Sequence, residues 1–309
     1  MLRVERILCP VDFFPASLRA ADYAIALAKN YDAKLHLLHV IAPVLPGTYE
    51  YALTMGGIVR QVEETSAQEM KKLGAKVKEF GVNAESQVRV GDAYDEIKRA
   101  IEGVKPDIVV MGTHGRRGVE RWFMGSTTEK LLRHTPVPIL TISAMGERPL
   151  TLPQFRRILV TTDFSEGTPD ALAYAFSLAQ ENQSQVTLLH VAYDIINDVA
   201  VDLSGSYLEP SQKGILKQLD DLVPAEVRNW CDVVTRVVTG VPYRIILGML
   251  EEGKFDLLVM NIHGKGMFER ALLGSTAERV LRAASCPAML IPPLQKASRE
   301  RKPQLPQSA

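Results

Sequence analysis

The strongest constraint on this chain is that it is written twice. RILCPVDFFPAS from Arg6 aligns with RILVTTDFSEGT from Arg157, and LHLLHV ending at Val40 aligns with VTLLHV ending at Val191, both at an offset of 151. PDIVVMGTHG from Pro106 then aligns with FDLLVMNIHG from Phe255, and MGSTTEKLLRHTPVP from Met124 with LGSTAERVLRAASCP from Leu273, at an offset of 149. Self-similarity of that length means two copies of one unit, so the architecture of one copy is the architecture of the chain. The two missing residues are expected before the third strand of the second copy, in a variable stretch where a loop tolerates deletion.

Within each copy, short apolar runs rich in Val, Ile and Leu alternate with longer stretches of helical period. Leu18, Ala21, Ile25 and Ala28 recur at three-to-four spacing, whereas Ile7 to Val11, Leu35 to Val40 and Ile108 to Met111 read as strands buried on both faces. Strands alternating with helices mean βαβ units and a parallel sheet. The pattern predicts five strands and four helices per copy, with strands near 6–11, 34–41, 85–90, 107–112 and 137–142, then near 157–162, 185–191, 233–238, 256–261 and 288–292. The expected fold is therefore α/β, with two tandem doubly wound five-stranded domains over residues 1–145 and 156–295. Residues 144–155 read as a linker, and the polar tail 296–309 as disordered. Residues 43–58, with prolines, glycines and aromatics after a strand, read as a flap over a site or an ordinary variable loop.

The 309 residues carry 36 Lys and Arg against 36 Asp and Glu, so no global charge draws the protein to nucleic acid or an anionic membrane. No stretch approaches the roughly eighteen apolar residues of a membrane helix, and the start reads as a first strand, so a cytoplasmic protein is expected. Cys9, Cys231 and Cys286 are odd in number and far apart, which argues for buried free thiols over disulfides or zinc.

The chemistry concentrates after the fourth strand of the first copy. Gly112-Thr113-His114-Gly115 is followed by nine residues and then Gly125-Ser126-Thr127-Thr128-Glu129. Glycines let backbone approach a ligand, and the free amides and positive dipole end of a helix start suit phosphate oxygens. In an open α/β sheet, ligands sit at the carboxyl ends of strands where the strand order reverses, and Asp12 and Gly112 end strands one and four. Each feature also has a purely structural reading. Ser126-x-x-Glu129 and Ser275-x-x-Glu278 are capping boxes, and Asp12 and Asp163 can cap the helices that follow them. Arg116, Arg117 and Arg121 either neutralise phosphates or form a solvated face, and His39 and His190 read as structural histidines.

The Gly-x2-Gly-x9-Gly-Ser pattern, a first strand ending Val-Asp and a second ending LLHV together resemble the universal stress protein family, in its tandem form. The resemblance implies an adenine nucleotide alpha hydrolase-like, Rossmann-like fold and an ATP site. It implies that Gly112, Gly115, Gly125 and Ser126 hold ribose and phosphates and that Asp12 and Val40 contact adenine, with Pro10, Val11, Met111, Arg116 and Thr127 completing the set. The matching residues of the second copy are Thr161, Asp163, Val191, Asn261, Gly264, Gly274, Ser275 and Thr276. It further implies pairing of the last strands, Val137 to Ser143 with Pro287 to Pro292, and a possible homodimer of tandem chains.

Three functions are consistent with these residues: a non-catalytic ATP-binding stress regulator, a slow ATPase, and a nucleotide-independent scaffold. The chain has no G-x-x-x-x-G-K-[ST] loop and so no lysine for the β- and γ-phosphates, and it has no S-x-x-K or G-x-S-x-G nucleophile. The binder leads, with ATP, assisted by magnesium, as the expected cofactor, and no catalytic or protein-held metal residues are assigned. The halves are expected to be unequal, because Asn261 stands where the first copy has Gly112. Asn tolerates a left-handed backbone, but its side chain takes space a ribose or phosphate would use.

Overall fold

The computed structural model describes residues 3–43, 49–113, 125–143, 155–192, 210–253, 255–262 and 273–292, with backbone alone for 49–59, 210 and 211. The first half runs β1 (Arg6–Pro10), α1 (Pro15–Tyr31), β2 (Lys34–Ile41), α2 (Tyr49–Glu79), β3 (Ala84–Val90), α3 (Ala93–Val104), β4 (Ile108–Gly112), α4 (Ser126–His134) and β5 (Ile139–Ile142). The second runs β6 (Arg157–Thr161), α5 (Thr168–Asn182), β7 (Gln185–Ala192), α6 (Pro210–Asp221), α7 (Ala225–Arg228), β8 (Val233–Thr239), α8 (Pro242–Gly253), β9 (Leu257–Asn261), α9 (Ser275–Ala283) and β10 (Ala288–Ile291).

All ten strands form one sheet in the order β3-β2-β1-β4-β5-β10-β9-β6-β7-β8. Pairing is parallel within each half, and the halves meet at one antiparallel contact between β5 and β10, in the register Leu140 opposite Met289 and Thr141 opposite Ala288. The last strands thus pair as expected, and Thr141 seals the join by donating its hydroxyl to the Ala288 carbonyl at 3.1 Å.

Alternate residues of each central strand feed two cores. Ile7, Cys9, Leu140, Ile142, Ile158, Val160, Met289 and Ile291 face the layer of α1, α2, α5, α6 and α7. Leu8, Val109, Ile139, Leu159, Leu258 and Leu290 face α3, α4, α8 and α9. Burial on both faces explains the unbroken apolar runs. Both cores pass across the β5–β10 join, so the two units share one three-layer body.

Three expectations need correction. The second half has five helices among the described residues, because Pro224, lacking an N–H, separates α6 from the single turn of α7. Residues 49–58 belong to α2, a 31-residue helix, so the stretch read as a loop is largely helical; 44–48 lie outside the described residues. Phe155, placed in the linker, is 2% exposed in the core, and its carbonyl accepts a hydrogen bond from Ser184. The rest of the linker and the tail lie outside the described residues. The register slip of two residues falls between β7 and β8, where it was expected. No helix among the described residues is long and apolar enough to cross a membrane.

Candidate functional site

Within each half the order reverses between the first and fourth strands, so the crevice outside β1 and β4 is the topological switch point. Chain leaves β1 through a strained turn. Phe13 has φ of 64° and Phe164, its counterpart, 58°, a left-handed backbone that is uncommon for an aromatic residue. Asp12 holds the turn by accepting the Phe14 N–H at 3.1 Å while its own N–H donates to Ser17 Oγ at 3.1 Å. Asp163 does the same for the Ser165 N–H at 3.0 Å.

Behind the turn, His39 donates Nδ1–H to the Val11 carbonyl at 2.8 Å and packs on the Phe13 ring at 4.5 Å. His190 repeats this on the Thr162 carbonyl and the Phe164 ring. A carbonyl can only accept, so Nδ1 carries the proton in both. Both histidines are structural. The paired Phe residues were missed as part of the site, although the repeated Asp-Phe was in plain view.

At the β4 exit, Gly112 is explained by packing. A Cβ there would stand 2.8 Å from the Ala16 carbonyl carbon and 2.9 Å from the Ser17 nitrogen, at the first turn of α1. Asn261 does not have positive φ, so its tolerance of a left-handed backbone is not used; nor does Gly112, and the position is governed by side-chain space. In the second half Asn261 turns toward the start of α5. With its amide oriented to satisfy both ends, it donates to the Gly167 carbonyl at 3.1 Å and accepts the Thr168 N–H at 3.2 Å. By the repeat, α5 should begin at Glu166, yet it begins at Thr168. The bond that opens α1, Leu18 N–H to Phe14 O, has no counterpart because Pro169 stands at the place of Leu18 and has no N–H, and Asn261 meets the later start.

The chain returns to the crevice at Gly125, whose N–H donates to the Thr113 carbonyl at 2.9 Å, while Thr128 Oγ1 donates to the Gly112 carbonyl at 3.1 Å. Gly274 is tied to Ile262 in the same way at 3.1 Å. The capping boxes do not form. Gly125 and Gly274 are themselves the N-caps with no side-chain cap bond, Ser126 and Ser275 fall one residue inside, and Glu129 and Glu278 pair with Arg133 and Arg282. The first intrahelical bond of α4 is Glu129 N–H to Gly125 O at 2.9 Å, so the amides of Ser126, Thr127 and Thr128 lack intrahelical partners. Ser126 is exposed and Thr127 half-buried, as are Ser275 and Thr276.

Of the other sequence candidates, Asp12, Val40, Thr161, Asp163 and Val191 are half-buried at strand ends around this crevice. Pro10, Val11 and Met111 are buried, so their side chains belong to the core. His114, Gly115, Arg116, Arg117, Arg121, His263 and Gly264 lie outside the described residues.

A profile of the universal stress protein family matches residues 3–143 and again residues 154–292. A universal stress protein of Mycolicibacterium smegmatis is 25% identical over 299 residues, covering 93% of this chain and 97% of that protein. One of Methanocaldococcus jannaschii is 31% identical over 142 residues, 45% of this chain and 81% of that protein. The crystal structure of a universal stress protein from Archaeoglobus fulgidus has a TM-score of 0.67 at 23% identity, covering 93% of this chain and 96% of that one, a likeness of fold. Other solved members carry adenine nucleotides. One is in complex with cAMP (TM-score 0.35, 21% identity, 45% and 97% covered) and one from Arabidopsis thaliana has AMP bound (0.34, 23%, 45% and 91%).

Proposed function

The chain belongs to the universal stress protein family, with two such domains in tandem, and on that premise we propose that it is an ATP-binding stress-response regulator that is non-catalytic or hydrolyses ATP very slowly. The observation that carries this reading is the start of α4: an uncapped helix N-terminus, pinned by Gly125 to the β4 exit, beside the Asp12 turn at the β1 exit. Orphan amides at a helix start favour anions, and the dipole adds to them. The residues present therefore suit a nucleotide's phosphates. In this reading the amides of Ser126 and Thr127 hold phosphate oxygens, Asp12 and Val40 lie against adenine, Gly112, Gly115, Gly125 and Arg116 belong to the ribose and phosphate set, and magnesium would accompany the nucleotide. Thr161, Asp163, Val191, Gly264, Gly274, Ser275 and Thr276 form a second, weaker site that Asn261 crowds.

The residues suit holding a nucleotide better than cleaving it, because the sequence has no lysine loop for the γ-phosphate. We place the units at residues 1–145 and 156–295 and the protein in the cytoplasm, where three free buried thiols are ordinary. Chromatography of a nucleotide extract from purified protein tests the reading, with ATP the expected species. Turnover with magnesium is expected far below the roughly 1–100 s⁻¹ of kinases. Turnover within that range, abolished by Gly115→Val, would replace the binder with an ATPase.

One observation favours a second reading, a nucleotide-independent scaffold: the contact with Ala16 accounts for Gly112 with no ligand. An extract without nucleotide, together with no heat on ATP titration, would support it.

A further inference from the structure

Away from the β1 and β4 exits, on the face that carries α3, an open groove of about 390 Å³ runs under the free edge of the sheet. Arg6, Lys34, His36, Glu85, Gln87 and Arg89 line it, with α3 closing one side at Gly103. The charges in it do not balance. Glu85 is shared between Lys34 and His36, whose Nδ1 lies 3.4 Å from it, and Arg89 reaches Glu96 at 3.4 Å and Gln87 at 2.8 Å. Arg6 takes part in none of the ion pairs that hold its neighbours Lys34, His36 and Arg89 among the described residues, and its Nε is buried without an acceptor. His36 Nε2 is buried and unpartnered as well. Unmade bonds of this kind are costly in a folded protein unless something completes them.

The second half serves as a control written into the same chain. There the positions of Lys34, His36, Glu85 and Arg89 are taken by Gln185, Thr187, Val234 and Val238. Arg157 keeps the place of Arg6, but its guanidinium lies over the Phe255 ring at 5.7 Å. Arg236 stands at the place of Gln87, so the second half keeps two cations here but forms without the Lys34, His36, Glu85 and Arg89 cluster, which the first half carries in addition.

We propose that the groove binds a compact polyvalent anion, a phosphorylated or polycarboxylate small molecule, with Arg6 and Lys34 as its principal contacts. Two arginines and a lysine around a concave surface suit such a ligand, because a guanidinium meets carboxylate or phosphate with paired, charge-assisted hydrogen bonds. The site is separate from the nucleotide crevice.

Pyrophosphate and citrate, titrated calorimetrically at constant ionic strength into the full chain carrying Gly125→Trp and Gly274→Trp, test this with both phosphate loops blocked. One anion per chain should bind, and Arg6→Gln and Lys34→Gln should each weaken it about tenfold or more. Preference for pyrophosphate assigns a phosphorylated ligand and preference for citrate a carboxylate one. Absence of binding, or an affinity indifferent to both substitutions, overturns the proposal. Should Arg6→Gln fail to fold, Lys34→Gln, on a more exposed side chain, decides the matter alone.

Discussion

Asn261 presses its carboxamide against Gly167, with the amide carbon 3.1 Å from where a Cβ on Gly167 would stand, and the equivalent pair in the first half is Gly112 against Ala16. The side chain has changed sides between the copies. Each half has one glycine at the contact, but on opposite partners.

Gly112→Ala should therefore destabilise the protein by about 1–3 kcal/mol, because the atoms it meets are backbone and cannot swing away. Urea denaturation measures this directly. Unchanged stability would mean that the glycine is there for a ligand alone.

ATP binding should be biphasic, with the first half tighter. A difference of about 1–2 kcal/mol corresponds to roughly 5- to 30-fold in affinity. Gly125→Trp should remove the tight phase and Gly274→Trp the weak one; the reverse pattern would assign the halves the wrong way round.

Asp12 holds the Phe14 N–H with its carboxylate, and in the proposed site the same residue contacts adenine. Asp12→Ala should cost about 0.5–1.5 kcal/mol of stability through the lost turn bond and also weaken ATP. Asp12→Asn keeps an acceptor for the turn, so its melting temperature should stay near wild type, and any drop in ATP affinity then reports the ligand contact. Equal affinity in all three proteins would leave Asp12 a turn residue only.

The Arg89–Glu96 pair, whose glutamate is 8% exposed, is replaced in the second half by Val238 and Ile245. Glu96 also pairs with Arg99, whose side chain is exposed and can turn to water, so Glu96→Ile should cost about 1.5–3 kcal/mol mainly through Arg89, whereas the double change Arg89→Val with Glu96→Ile should be close to neutral. A double-mutant cycle in urea checks both numbers.

Alkaline pH should erode stability. Burial raises the Cys231 thiol from 9.0 to about 11 and Cys286 to about 12, and pushes Cys9, Tyr31 and Tyr174 up as well. The unfolded chain loses these protons first, so stability is whole below about pH 9 and falls by about 1.4 kcal/mol per pH unit per thiol until the folded values are reached. Denaturation midpoints between pH 8 and 11 would reveal it, and a flat profile would contradict it. Native thiols should likewise resist alkylation at pH 8 until denaturant is added.

Strand positions were legible to within a residue or two because strands buried on both faces, such as Ile108–Gly112, have no polar alternation to blur their ends. The break at Pro224 was legible in principle and overlooked. What could not be read was anything decided by the meeting of two elements. Ser126 and Glu129 have capping-box spacing, but which residue is the N-cap depends on where Gly125 is tied to Thr113, a contact set by the sheet. Likewise, the packing of Gly112 against the first turn of α1 has no trace in the sequence, because Ala16 and Gly112 are brought together only by the sheet.

The antiparallel join of β5 to β10 closes an interface between two copies that share one covalent chain. Tethered partners cannot be diluted apart, so this contact holds at any protein concentration. It also lifts the demand that one surface be complementary to itself. Separate genes are not needed for the two sides to specialise: Asn261 could enter one copy, and the Arg6 groove persist in the other, without either change being copied across the axis.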